Sequence, residues 1–263
     1  MERSVAQFYD DLAEDYHLLF ADWKASLSWQ ADVLECVIRE HLGPGPRSVL
    51  DCTCGIGTQA IGLAARGFAV HASNISPAAI ARAEREAAAL GVSLMTGVAD
   101  LRTLARHLPG EFDVVLSGDN ALPHFPSDAY LLQAARAMWS KTTRDGLLLA
   151  SIRDYDSLLA ERPRSELPRV FDGLGGRRIV FQVWDWADDG RTYALHLFIV
   201  SQHGGNWQTR HWATHYRALL RDELSAVLRT VGFAEVRWLL PEESGYYQPL
   251  VTARRRGSGV PAT

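Results

Sequence analysis

The sequence predicts an α/β chain: a parallel sheet covered by helices on both faces, followed by a block of antiparallel strands. Two observations carry this. From residue 47 to 157, short apolar runs alternate with segments of helical period, and strands joined by helical crossovers must lie parallel and be buried on both faces. From 177 to 219 the period drops to two, with Asp189-Gly190 and Gly204-Gly205 between the runs, as in hairpins.

Taken in order, residues 4 to 43 read as a helical cap, with Val33, Leu34, Val37 and Ile38 on one stripe and Gly43-Pro44 as its stop. "SVLDCT" is a strand, and "TQAIGLAARG" a helix ending at Gly67. "AVHASN" is a strand, and Ser76 caps the next helix with Pro77 at its first position. "SLMTGVAD", "FDVVLSGD" and "GLLLASIRD" are strands three to five, separated by "LRTLARHL" and "DAYLLQAARAMWSKT" as helices. Three antiparallel strands follow. The helix "RDELSAVLRTVG" and the strands "FAEVRWLL" and "PLVTARR" complete a seven-stranded sheet. The expected organisation is a cap at 1–45, a sheet domain at 46–157 and 220–256, an antiparallel insertion at 158–219, and a loose tail at 257–263.

Composition narrows the function. A net charge of -4 argues against a nucleic-acid partner. No apolar run reaches the length of a membrane span, and "MERSVAQFYDDLAEDYH" lacks the apolar core of a secretory signal. The expectation is a cytoplasmic protein with a small-molecule substrate, compatible with a homo-oligomer, and with no nucleic acid or membrane partner. Three cysteines, an odd number, suit a reducing compartment. Cys52 and Cys54 lack neighbouring ligands and read as packing residues, so no metal is expected.

The loop "DCTCGIGT" after the first strand breaks a buried run with Gly55 and Gly57. Glycines there let backbone approach a ligand, at the carboxyl end of a strand where open α/β sheets bind. The loop lacks both the third glycine of a dinucleotide fingerprint and the G-K-[ST] of a phosphate loop.

The stretch "VLDCTCGIGTQAIGLAARGFAVHASNIS", with "GVADLR" after the third strand and "FDVVLSGDNALPHF" at the fourth, resembles the cofactor motif of class I S-adenosylmethionine-dependent methyltransferases. The chain as a whole is similar to the glycine and sarcosine N-methyltransferase-like small-molecule group. The resemblance implies a Rossmann-like doubly wound sheet and S-adenosyl-L-methionine as cofactor. It puts Asp51 near the cofactor's amino acid part, Gly55 and Gly57 around that part, Asp100 and Leu101 at the adenine, Asp119, Asn120 and Leu122 beside the site, and Tyr16 and Trp29 as contacts from the cap. Asn74 stands where an acidic residue usually takes both ribose hydroxyls. Losing that charge-assisted pair costs roughly 1 kcal/mol of affinity, or else marks a binder that does not catalyse.

For the chemistry, His124 in "DNALPHF" is a base, an orienting group or a structural histidine. Arg153 either forks a substrate carboxylate or pairs with Asp154 or Asp156. Tyr155 offers a hydroxyl or a ring. The substrate wall is expected from Trp184, Tyr193, His196, Tyr216 and Arg217 of the insertion and from Tyr246 of "SGYYQP"; many of the inserted aromatics would instead form a second small core. The expected reaction is in-line methylation of an amine, amino acid or N-heterocycle. Methylation at oxygen or carbon, and cofactor binding without catalysis, are the alternatives.

Overall fold

In the computed structural model, which describes residues 4–45, 47–173 and 176–256, the alternating half of the sequence becomes five parallel strands: β1 (Ser48–Asp51), β2 (Ala69–Asn74), β3 (Met95–Val98), β4 (Phe112–Ser117) and β5 (Thr142–Ser151). The antiparallel block is β6 (Arg169–Gly173), β7 (Gly176–Trp186), β8 (Thr192–His203) and β9 (Asn206–Arg217), and β10 (Ala234–Leu239) and β11 (Leu250–Arg254) return to the first sheet. That sheet has the order β10-β11-β5-β4-β1-β2-β3. The order reverses between β1 and β4, and such a switch point opens a crevice at the carboxyl ends of the strands.

The central strands are apolar throughout because both faces are covered. Leu50, Val115 and Leu148 pack in one core cluster, and Val49, Val114 and Leu149 pack in the other. The cap is α1 (Val5–Leu12), a 3-10 turn at Tyr16–Leu19 and α2 (Trp23–Leu42), not one continuous helix. Asp22 caps α2 through the Ala25 amide (3.0 Å), so the chain breaks there. Around the sheet lie α3 (Thr58–Ala65), α4 (Pro77–Ala89), α5 (Leu104–His107), α6 (Asp128–Lys141), α7 (Tyr155–Glu161) and α8 (Arg221–Thr230). The cap is tied down by polar bonds. Asp10 of α1 accepts from the Ser76 hydroxyl (2.6 Å) and the Ala78 amide (3.1 Å) at the start of α4, and the Trp23 indole donates to Thr58 Oγ1 (2.9 Å).

Two expectations are corrected. The antiparallel sheet has four strands, not three: "RVFDG" pairs with β7 through Phe171↔Arg178. The sheet does not enclose a separate core either, since Val180, Trp184, Tyr193, Leu195, Leu197, Trp212 and Tyr216 join the cluster that holds Leu50 and Val115. The tail at 257–263 lies outside the described residues. Among the described residues, no helix is long and apolar enough to cross a membrane, and no group of three or more His, Cys, Asp or Glu is placed to hold a metal ion. Cys52 and Cys54 are buried and Cys36 is exposed; all three are free.

Candidate active site

Two cavities meet at the carboxyl ends of the parallel strands. The first, about 570 Å³, is a crevice built from the loops that leave each strand: Cys52–Gly55 after β1, Asn74 and Ile75 after β2, Ala99–Arg102 after β3, and Gly118 and Asp119 after β4. Ser4, Val5 and Tyr9 of the cap cover it. Gly55 has φ +53 and open space where a Cβ would stand, so bare backbone faces the crevice. Gly57 does something else. A Cβ there would lie 2.8 Å from Ile61 Cδ1 and 3.2 Å from the Ala83 side chain, and φ is +92; it serves the packing of α3 on α4 and does not line the crevice.

Asp51 ends β1 fully buried. Its Oδ1 accepts from the Thr53 amide (3.3 Å), while Oδ2 has no partner. Burial pushes its carboxyl up to about 8. The Asn74 Oδ1 accepts from the Ser76 amide (2.9 Å), which commits its oxygen to a turn. Both Asp100 oxygens accept from Arg102 Nε (3.0 Å each) and one from the Arg102 amide (2.8 Å). Partial burial raises this carboxyl, but the Arg102 bonds and charge outweigh it and hold it below the usual range. The Arg102 guanidinium in turn lies 4.8 Å from the Tyr130 ring.

The second cavity, about 1280 Å³, lies between the cap, the β5 exit and the inner face of the antiparallel sheet. Tyr9, Tyr16 and Asp119 line both cavities. Asp119 (φ 55) and Asn120 (φ 65) are consecutive left-handed residues, a costly backbone for non-glycine positions. They are held by the Ser151 hydroxyl, which accepts from the Asp119 amide (2.9 Å), and the Ser151 carbonyl, which accepts from the Asn120 amide (3.2 Å). Asp119 Oδ1 lies 3.0 Å from the Tyr246 hydroxyl and accepts from the Tyr247 hydroxyl. Burial raises its carboxyl, opposed by bonds from Tyr247, Gln59 and Tyr246.

Arg153 follows β5 and lines the second cavity. It donates to the Tyr193 hydroxyl (3.1 Å) and to Gln182 Oε1 (2.9 Å), and its guanidinium lies 4.9 Å from Trp184 and 5.5 Å from Tyr216. Asp154 and Asp156 pair with Arg221 instead, so Arg153 keeps neutral partners in a cavity. Asn120 bridges this corner, accepting from the Arg153 amide (3.0 Å) and donating to the Tyr155 hydroxyl (3.0 Å). His124 lines the crevice. Its Nδ1 faces the His215 carbonyl (3.1 Å), which makes that nitrogen the donor and leaves Nε2 to accept from the Tyr9 hydroxyl (2.9 Å). Burial pulls its pKa down to about 3; the His215 carbonyl opposes this and the Arg153 charge adds to it.

Most of the crevice, though little of the second cavity, is built by segments that match a known domain: residues 49–146 fit the model of a methyltransferase domain family. Residues 49–146 are a methyltransferase domain, and the chain is similar to class I S-adenosylmethionine-dependent methyltransferases. Among curated relatives of this methyltransferase is a glycine/sarcosine N-methyltransferase of Parasynechococcus marenigrum, 33% identical over 58% of this chain and 53% of its own length. The chain therefore spans about half of that relative. A glycine/sarcosine N-methyltransferase of Aphanothece halophytica is 28% identical over 86% of this chain and 80% of its own. Among solved structures, a sugar N-methyltransferase from Streptoalloteichus superposes with TM-score 0.75 at 21% identity, covering 94% of each chain. An amino pentose methyltransferase from Micromonospora echinaspora, solved with S-adenosylmethionine bound, gives 0.70 at 20% identity, covering 97% of this chain and 99% of its own; these two show a shared fold.

The family's cofactor, S-adenosyl-L-methionine, suits the crevice of this methyltransferase: bare backbone at Gly55 and Asp100 beside the buried Leu101 line it, and Asp51, next to the lining Cys52 but not itself a lining residue, keeps a buried carboxylate oxygen without a partner. Several expected residues lie elsewhere. Trp29 lines the second cavity and not the crevice, stacked on Tyr246 at 6.2 Å. Leu122 is buried in the core. Tyr155 and Tyr193 are fully buried with their hydroxyls 2.9 Å apart, and they stand behind Arg153 without lining either cavity. Tyr246 is likewise buried and reaches the site through Asp119. His196 faces away on the outer side of the sheet, 3.0 Å from His211 and 3.2 Å from Asp185, and Arg217 pairs with Asp128 (2.6 Å). Trp184 and Tyr216 do line the second cavity. Tyr247 of "SGYYQP" lines the second cavity, and sequence reasoning missed Tyr9, Gln30 and Gln59. Gln59 donates to Gln30 Oε1 (2.8 Å), and the Tyr246 hydroxyl lies 2.9 Å from that same oxygen; the one available signal was a glutamine inside the buried stripe Leu27–Leu34 of α2.

Proposed function

We propose that this methyltransferase methylates the nitrogen of a small amine that also carries a carboxylate. The observation that carries the reading is Arg153: a guanidinium whose side-chain hydrogen bonds among the described residues go to neutral groups, with Glu166 acting on it only through its charge, in a cavity that joins the crevice at Asp119. Asp51 and the Gly55 backbone would hold the cofactor's amino acid part, Asn74 Nδ2 its ribose, and Asp100 and Leu101 its adenine. When bound, S-adenosylmethionine supplies an electrophilic methyl group on a sulfonium.

The chain's own residues do the rest. Arg153 forks the acceptor's carboxylate and fixes one end of it. Asp119 takes up the other end: burial has raised its carboxyl, so it accepts a proton from an incoming ammonium more readily than an exposed carboxylate does and leaves a neutral amine whose lone pair can attack. Tyr246 and Tyr247 hold that carboxylate in place. Tyr9 and Tyr16 wall the junction and keep water out. Alignment of this kind is a large part of the rate enhancement of a displacement reaction. His124, neutral at any working pH, orients Tyr9 and does not store a proton. That favours nitrogen over an oxygen or carbon acceptor, which needs a stronger base.

The test is a panel of amines with and without a carboxylate, read out as S-adenosylhomocysteine released. Turnover restricted to amines without an anionic group would refute the assignment of Arg153, and cofactor binding without turnover of any amine would refute nitrogen methylation.

A further inference from the structure

This inference rests on the amine-methylation reading and narrows its acceptor. The second cavity has about 1280 Å³, more than twice the roughly 570 Å³ of the cofactor crevice. Cavities of roughly 300–1,000 Å³ enclose drug-sized ligands, so glycine or sarcosine, the substrates in the relatives' names, would occupy one corner. The wall is mixed, with Glu166, Arg169 and Arg221 among its charged residues, but one stretch of it is apolar. Leu12, Trp184, Leu195 and Leu197 are buried by the fold yet line this cavity, and the half-buried Phe20 and Phe171 line it too. Leu195 and Leu197 project from the same face of β8, two residues apart. An acceptor held only by an amine at Asp119 and a carboxylate at Arg153 still turns about the line between them. A third contact is needed to fix the nitrogen lone pair for an in-line displacement.

We propose that the acceptor is an amino acid with a large apolar or aromatic side chain, seated at three points: amine at Asp119, carboxylate on Arg153, side chain on the Leu195–Leu197 wall. A side chain that displaces water from that wall gains about fourfold in binding per buried methylene, and it converts that gain into orientation.

The experiment measures kcat/KM of the purified full chain across glycine, sarcosine, alanine, leucine, phenylalanine and tryptophan, with an amino sugar and a long alkylamine as uncarboxylated arms. The expected result is a rise of at least tenfold from alanine to leucine or phenylalanine. Leu195→Trp, which fills the wall, is expected to lower the phenylalanine-to-alanine ratio at least tenfold. Phe171→Ala, at the sheet edge, lowers the same ratio severalfold and covers the case in which Leu195→Trp fails to fold. Turnover with glycine favoured over leucine overturns this inference and leaves the amine reading standing. So does a preference for the amino sugar or the alkylamine. Absence of turnover with every amine, in protein that still binds cofactor, overturns both.

Discussion

The proposed contact of Asp51 with the cofactor predicts proton-coupled binding. The cofactor-free carboxyl is pushed up to about 8 by burial, and one of its oxygens has no partner. At pH 7 roughly nine in ten molecules therefore carry a proton there. Engaging a cationic group ionises the carboxyl, which costs about 1.4 kcal/mol for each pH unit below 8. The affinity for S-adenosylmethionine should then rise about fiftyfold from pH 6 to pH 8 and flatten above it. Isothermal titration across this range, repeated in buffers of different ionisation enthalpy, reads both the affinity and the proton released. Asp51→Asn should bind more weakly and with a much shallower pH slope. The cofactor-free stability follows the opposite sign. Folded Asp51 holds its proton more tightly than the ordinary value of 3.8 allows, so its contribution is complete below about pH 3.8 and disappears as the pH rises to about 8. Asp51→Asn should accordingly melt higher than wild type at pH 8, with the gap closing toward pH 4. An unchanged binding slope in Asp51→Asn, or a flat wild-type profile, would refute the reasoning.

Other perturbations separate the remaining roles. Asn74→Asp keeps the bond from the Ser76 amide and adds a charged acceptor for a ribose, so titration should show cofactor affinity improved by about fivefold, roughly 1 kcal/mol. Gly57→Ala should lower stability by about 2–3 kcal/mol in denaturant melts, because its Cβ meets Ile61 at 2.8 Å and φ is +92; Gly55→Ala should cost about 1 kcal/mol of stability and show its main effect in cofactor affinity. Arg153→Leu should reduce kcat/KM for carboxylate-bearing amines by about a hundredfold or more and change that for neutral amines far less. His124→Ala and Tyr9→Phe should give similar rate losses and leave the pH–rate profile between 5 and 9 unshifted, since the histidine titrates at about 3; a lost inflection in His124→Ala would restore it as a base.

What the sequence determined by itself is whatever one short segment specifies. Apolar runs such as "VLD" and "FDVVLS" must be strands buried on both faces. Ser76-Pro77 starts a helix because one hydroxyl and one fixed φ suffice, and Gly190 and Gly204 turn hairpins because only glycine takes those angles cheaply. The glycine loop after β1, which lines the crevice, was legible for the same reason. Strand parity was legible too: Tyr193 and His196 are three residues apart and cannot share a face, nor can Tyr216 and Arg217, so naming all four to one wall ignored the period of two. The tertiary structure decided everything that depends on distant partners. "RVFDG" became a strand only because β7 supplies its hydrogen bonds, which overrides a weak local preference. Arg153 is left out of any ion pair with its chain neighbours because Arg221, far along the chain, takes Asp154 and Asp156. Asp119 became the junction because Tyr9, Gln59 and the pair Tyr246 and Tyr247, from three separate segments, converge around it. No local pattern encodes such convergence, since burial and charge at a point depend on every chain segment that reaches it.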